Sequence, residues 1–154
     1  MDRLNKEVIA KEMIFLDKNF ENQDEILNFI VENAKKNDYI LDEAVFLKSV
    51  KKREEEVSTA IGYSIAIPHG KNETVNFPFI SLVRTKKEIK WTENNEEKVQ
   101  LIFLIGVPEK SEGKLHLKFI SQLSKKLLDD NFREKLLVES DRNKVFTQLN
   151  LIEI

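Results

Sequence analysis

Hydrophobic positions change their spacing twice along this chain. A short apolar run at Met13 to Leu16 opens it. Asn22 then offers a helix cap with Glu25 three residues on, and Ile26, Leu27, Ile30, Val31 and Ala34 follow at helical spacing. A second helix is expected from about Asp42 to Lys52, burying Val45, Leu47 and Val50. Between residues 64 and 107 the pattern shortens into apolar or alternating runs: Ser64 to Ile67, Phe79 to Arg84, Ile89 to Thr92 and Val99 to Val107. These predict strands, separated by turn-prone segments such as Asn94-Asn95. Beyond Pro108 helical spacing returns, with Leu115, Phe119, Ile120, Leu123 and Leu127 on one face. Two shorter helices are expected near Phe132 to Val138 and Asp141 to Leu149. Helices packed over a central sheet would bury both sets of apolar faces, although the pattern does not give the strand order.

The chain has 154 residues, enough for one domain that buries about 70% of its unfolded surface. Four glycines and three prolines form no linker, and neither repeats nor low-complexity tracts are found, so residues 1–154 read as a single domain. Charged residues make up 34%, above the roughly 25% of an average domain. Their signs nearly cancel to a formal charge of -2, which leaves no global attraction for nucleic acid or an anionic membrane; any anion site must be local. The absence of cysteine excludes disulfides, thiolate metal sites and a thiol nucleophile. The charged start, Met1-Asp2-Arg3-Leu4-Asn5-Lys6-Glu7, lacks the apolar run of a signal peptide. No segment approaches the roughly 18 apolar residues of a membrane span, and a cytoplasmic location is expected.

Of the two histidines, His69 has the sharper setting. It ends Ser64-Ile65-Ala66-Ile67-Pro68-His69-Gly70, where an apolar strand meets a proline that restricts Ile67 to extended backbone and Gly70 can let the chain turn away. A histidine held there can offer one ring nitrogen as a nucleophile if a hydrogen bond orients the other; a turn histidine without a role is the alternative. His116, in Gly113-Lys114-Leu115-His116-Leu117, falls at the start of a predicted helix. It is either a plain surface histidine or one facing an anion that free helix N–H groups also attract. Arg53, in Arg53-Glu54-Glu55-Glu56-Val57-Ser58-Thr59-Ala60-Ile61-Gly62, carries a guanidinium suited to phosphate oxygens, and Ser58 and Thr59 add two hydroxyls. The same spacing also fits an ordinary helix exit. No Walker loop, GxGxxG, HExxH, EF-hand or zinc pattern is present.

Read in order, Arg53-Glu54, Ser58-Thr59-Ala60-Ile61-Gly62, Ile65-Ala66-Ile67-Pro68-His69-Gly70 and a later His116-Leu117 opening a helix resemble the enzyme IIA domain of the bacterial phosphotransferase system, fructose/mannitol (type 2) family. Trp91, the apolar strand through Ile105 and the Leu-rich helix behind His116 extend the resemblance over nearly the whole chain. Ala60 and Ser64 stand where glycine is common, and Asn94-Asn95 replace a glycine-containing turn. The resemblance implies a single α/β domain whose mixed β-sheet is sandwiched by helices on both faces. It implies phosphorylation of His69 by the phosphocarrier protein HPr, with His116 and Arg53 beside the phosphoryl group and Ser58 and Thr59 as the matching hydroxyl pair. It further implies onward transfer to a cysteine of an enzyme IIB on a separate chain, for fructose- or mannitol-type sugar uptake, without metal or organic cofactor. The alternative it leaves open is a nitrogen-related regulatory protein whose phosphorylation state controls binding to target proteins.

Overall fold

The structure, a computed structural model, describes residues 7–93, 96–110 and 114–152. Among them, five helices and six strands follow in the order β1 (Ile9–Lys18), α1 (Gln23–Lys36), α2 (Glu43–Glu56), β2 (Ala60–Gly62), β3 (Ile65–Ala66), β4 (His69–Asn72), β5 (Phe79–Lys90), β6 (Lys98–Pro108), α3 (Leu115–Lys126), α4 (Asp130–Val138) and α5 (Arg142–Leu149). The strands form one sheet in the order β1-β5-β6-β3-β2, with β4 also paired to β6. β5 and β6 are antiparallel, whereas β1 runs parallel to β5, and β3 and β4 run parallel to β6. The sheet is therefore mixed, as the family resemblance implies.

Both faces of the sheet are covered, which explains why β6 reads as an unbroken apolar run. Ile102 and Leu104 face a core shared with Ile26, Leu27, Ile30, Phe46 and Val50 of α1 and α2. Leu101, Phe103, Ile105 and Val107 face the other core, with Phe119, Leu123, Leu136, Val145 and Leu149 of α3 to α5. Gly106 faces the first core, where a Cβ would come 2.2 Å from a ring carbon of Phe79.

Several expectations hold closely. Asn22 caps α1 by accepting from the Glu25 amide, and Glu25 reaches back to the Glu21 amide. Asp42 and Asp141 cap α2 and α5. Others need correction. β1 extends well beyond Met13 to Leu16; a register break between Ile9 and Ile14 places exposed Lys11 and Glu12 inside the strand and hides its alternation. α2 runs four residues past Lys52, and its buried positions are Phe46, Val50 and Glu54; Leu47 is half-buried and Val45 exposed. The separate strand at Ile89 to Thr92 is the far end of β5, rejoined to β6 after a break between Arg84 and Ile89, and it stops at Lys90. Ser64 lies in the turn before β3 and Ile67 just beyond it. The Asn94-Asn95 turn lies outside the described residues.

Candidate functional site

Pro68 divides one extended segment into β3 and β4. It is buried, its carbonyl accepts from the Ile105 amide at 3.0 Å, and the chain continues along β6 with His69 opposite Ile105. The expectation that Gly70 lets the chain turn away is corrected: Gly70 remains in β4, packed against α2. A Cβ there would meet Val50 Cγ2 at 3.0 Å and a Phe46 ring carbon at 3.2 Å. Since successive strand residues point to opposite faces, His69 and Lys71 project away from α2, toward α3. His69 Nδ1 lies 3.0 Å from the Ile67 carbonyl oxygen. A carbonyl can only accept, so Nδ1 carries the proton and Nε2 keeps the lone pair.

His116, near the start of α3, stacks on His69 with ring centroids 5.0 Å apart and planes inclined by 23°. Both rings are half-buried. The N-cap of α3 is Lys114, which makes no side-chain capping bond, and the first turn has no acid. Among the described residues, no side-chain bond from the N-cap satisfies the first amides of the helix, which lie beside the two rings. His116 Nδ1 is itself buried without a hydrogen-bond partner among the described residues.

Burial pushes the pKa of both imidazoles below the ordinary histidine value. For His69, the Arg53 charge lowers it further, while the Ile67 hydrogen bond and Glu54 oppose the shift. For His116, the charges of His69, Lys71 and Arg53 add to burial, in that order. Neutral imidazoles near pH 7 follow, which leaves His69 Nε2 available for attack.

Arg53 sits in the last turn of α2, where Nη1 donates to the Val57 carbonyl at 2.8 Å. That contact caps the helix end and leaves most of the guanidinium fork for an anion. Ser58 Oγ accepts from the Ala60 amide at 3.2 Å and keeps its own proton to donate. Thr59 is placed differently from the sequence expectation of an anion-binding hydroxyl. Its Oγ1 donates to Glu54 Oε1 at 2.6 Å and its amide to Glu54 Oε2 at 2.8 Å, so both donors are directed at that carboxylate. Trp91 Nε1 donates to the same Oε2 at 2.9 Å. Sequence reasoning thus missed Glu54 as a buried hub and Lys71 as a cation on the His69 face. The i to i+2 spacing within His69-Gly70-Lys71 was the signal for Lys71 once a strand is placed there.

Neither histidine lines the polar cleft of about 710 Å³ beside Glu54, Ser58 and Trp91, or the apolar cavity of about 210 Å³ beside Tyr63, Leu101 and Leu136. Among the described residues no group of three or more histidine or acidic side chains is placed to hold a metal ion. Nor is any described helix long and apolar enough to cross a membrane.

With this geometry in place, residues 7–151 match the family described as phosphoenolpyruvate-dependent sugar phosphotransferase system, EIIA 2. The chain belongs to that family. The EIIA 2 match accounts for nearly all of its length and makes it a phosphoryl-relay component of a phosphotransferase system. Among named EIIA 2 relatives, multiphosphoryl transfer protein 1 of Escherichia coli K12 is 33% identical over 92% of this chain, which spans 17% of that relative's length. The fructose-specific EIIA component of Haloferax volcanii is 29% identical and is covered over 86% of its length, against 87% of this chain. The crystal structure of nitrogen regulatory protein IIA-Ntr from Neisseria meningitidis superposes with a TM-score of 0.82 and 26% identity, covering 92% of this chain and 96% of that one.

Proposed function

We propose that His69 Nε2 accepts a phosphoryl group from a phosphohistidine of HPr and passes it to a cysteine thiolate of an enzyme IIB, in fructose- or mannitol-type sugar uptake. The observation that carries this reading is the 3.0 Å contact between His69 Nδ1 and the Ile67 carbonyl, with the His116 ring stacked alongside. Together they give one imidazole a fixed tautomer, a fixed direction and a polar neighbour. In the first step the Nε2 lone pair forms a bond to phosphorus as the donor's nitrogen–phosphorus bond breaks, and the donor imidazole leaves. The second step reverses the direction at Nε2, with sulfur as the nucleophile. Charge in such transfers resides mainly on the equatorial oxygens, so catalysis is positioning and charge stabilisation. Arg53, His116, the Ser58 hydroxyl and the first amides of α3 are the donors available, with Lys71 on the same face.

Purified protein incubated with phosphorylated HPr, and then with a IIB domain, tests both steps. The wild type takes up one acid-labile phosphoryl group and loses it to IIB, while a folded His69→Ala variant takes up none. Normal uptake by that variant contradicts the assignment. The likeness to IIA-Ntr favours a second reading, in which the phosphorylation state of His69 controls binding to a target protein. Uptake from HPr without discharge to any IIB, together with a partner that binds only one of the two states, selects that reading.

A further inference from the structure

A continuous set of hydrogen bonds links the buried end of α2 to the reactive ring. Glu54, 7% exposed, accepts from Trp91 Nε1, Thr59 Oγ1 and the Thr59 amide at 2.9, 2.6 and 2.8 Å. The Thr59 carbonyl in turn accepts from the Ile67 amide at 3.0 Å. The carbonyl of that same residue receives the His69 Nδ1 proton. Ile67 lies between β3 and β4 and precedes Pro68, which offers no amide. The Thr59 contact is therefore a tie on Ile67, one peptide unit before the carbonyl that orients the imidazole.

We propose that Glu54, held by Trp91 and Thr59, is a positioning residue for phosphoryl transfer: it fixes the Thr59 carbonyl, and through Ile67 the tautomer and aim of His69. Glu54 does not touch the phosphoryl group in this scheme. The contribution to rate rests on the relay function assigned above, whereas the effect on the His69 tautomer does not. Removing the carboxylate leaves three donors without their acceptor and frees the 58 to 60 segment to shift, so the Ile67 carbonyl loses its alignment with Nδ1. A glutamine keeps the connection, because its carbonyl can serve the Thr59 amide and the indole while its amide donates to a turned Thr59 hydroxyl.

The test compares wild type with Glu54→Ala, Glu54→Gln and Trp91→Phe, the last removing one donor while keeping an aromatic ring in the core. Imidazole nitrogen shifts report the His69 tautomer in the free protein, at a pH where the ring is neutral, and transfer from phosphorylated HPr gives kcat and KM. The expected result is a larger Nε2–H fraction in Glu54→Ala, and a smaller change of the same sign in Trp91→Phe. The kcat of Glu54→Ala should fall about tenfold with KM for HPr unchanged, and glutamine should restore most of it. A wild-type tautomer ratio in folded Glu54→Ala, or in folded Trp91→Phe if alanine prevents folding, overturns the proposal. Should wild type fail to accept phosphoryl groups at all, the relay reading fails while the tautomer comparison still decides the role of Glu54.

Discussion

In the proposed relay, one proton, held on Nδ1 of His69 by the Ile67 carbonyl, decides which ring nitrogen keeps its lone pair for attack. His116 of α3 stacks on this ring, and the charges of Arg53 and Glu54 from α2 act on it. Because burial lowers the His69 pKa, acceptance from HPr should stay level from about pH 8 down to the ordinary histidine value near 6.5, then fall at a lower pH as the ring protonates. Arg53→Gln removes a charge that lowers this pKa, so the inflection should move to higher pH while the rate falls; an unmoved inflection argues that the guanidinium is not close. Stability carries the same sign. Both histidines bind protons more weakly when folded, so the unfolded chain gains protons first below about pH 6.5 and stability declines from there, with no contribution above it. Denaturant titrations of a His69→Gln, His116→Gln double variant should show a flatter acid limb than wild type. The arrangement was half legible beforehand. The order of residues around His69 and His116 pointed to a site at the end of β3, but no spacing rule shows that Thr59 turns both its donors onto Glu54, or that Trp91 donates to the same carboxylate.

The strands β2, β3 and β4 beside the site are short, and the turn that joins the first two is strained. Tyr63 and Ser64 form the two-residue turn between β2 and β3 with φ of 57° and 64°, the left-handed pair that a tight hairpin requires and that Asn-Gly adopts most easily. Glycine would take up this φ without the penalty that a Cβ brings. Ser64→Gly should therefore raise stability by about 0.5–1 kcal/mol, less whatever the exposed hydrogen bond from Ser64 Oγ to Glu88 contributes, as read from urea midpoints. No gain, or a loss, would mean that the Glu88 contact outweighs the strain. Gly106→Ala should act in the opposite direction by at least about 1–3 kcal/mol, because its methyl group would need space occupied by the fully buried Phe79 ring. Caps explain why α1, α2 and α5 were legible: Asn22, Asp42 and Asp141 each accept a nearby backbone amide, a local event written in local sequence. β2 and β4 were not, since strands of three and four residues containing glycine or histidine show no alternation and exist only through β3 and β6.

At the scale of the whole molecule, a mixed sheet buried on both faces brings together parts that lie far apart in sequence. β6 is the common ladder: it receives β5 on one side and both β3 and β4 on the other, so the peptide bearing His69 is registered against Ile105. The opposing helix layers then supply Arg53 and Glu54 from one side and His116 from the other. Arg84 shows what hydrophobic patterning conceals at this scale. It closes an apolar run in the sequence yet is only 1% exposed, with its guanidinium forked onto Asp17 at 3.0 and 3.1 Å and donating to the Leu136 carbonyl at 2.9 Å, tying β1, β5 and α4 together. The measurement that most directly tests the account is a long-range proton–nitrogen correlation spectrum of the imidazoles after phosphorylation by HPr. The account predicts phosphorus on Nε2 of His69, with Nδ1 still protonated and His116 unmodified. Phosphorus on Nδ1 of His69, or on His116 instead, would contradict it.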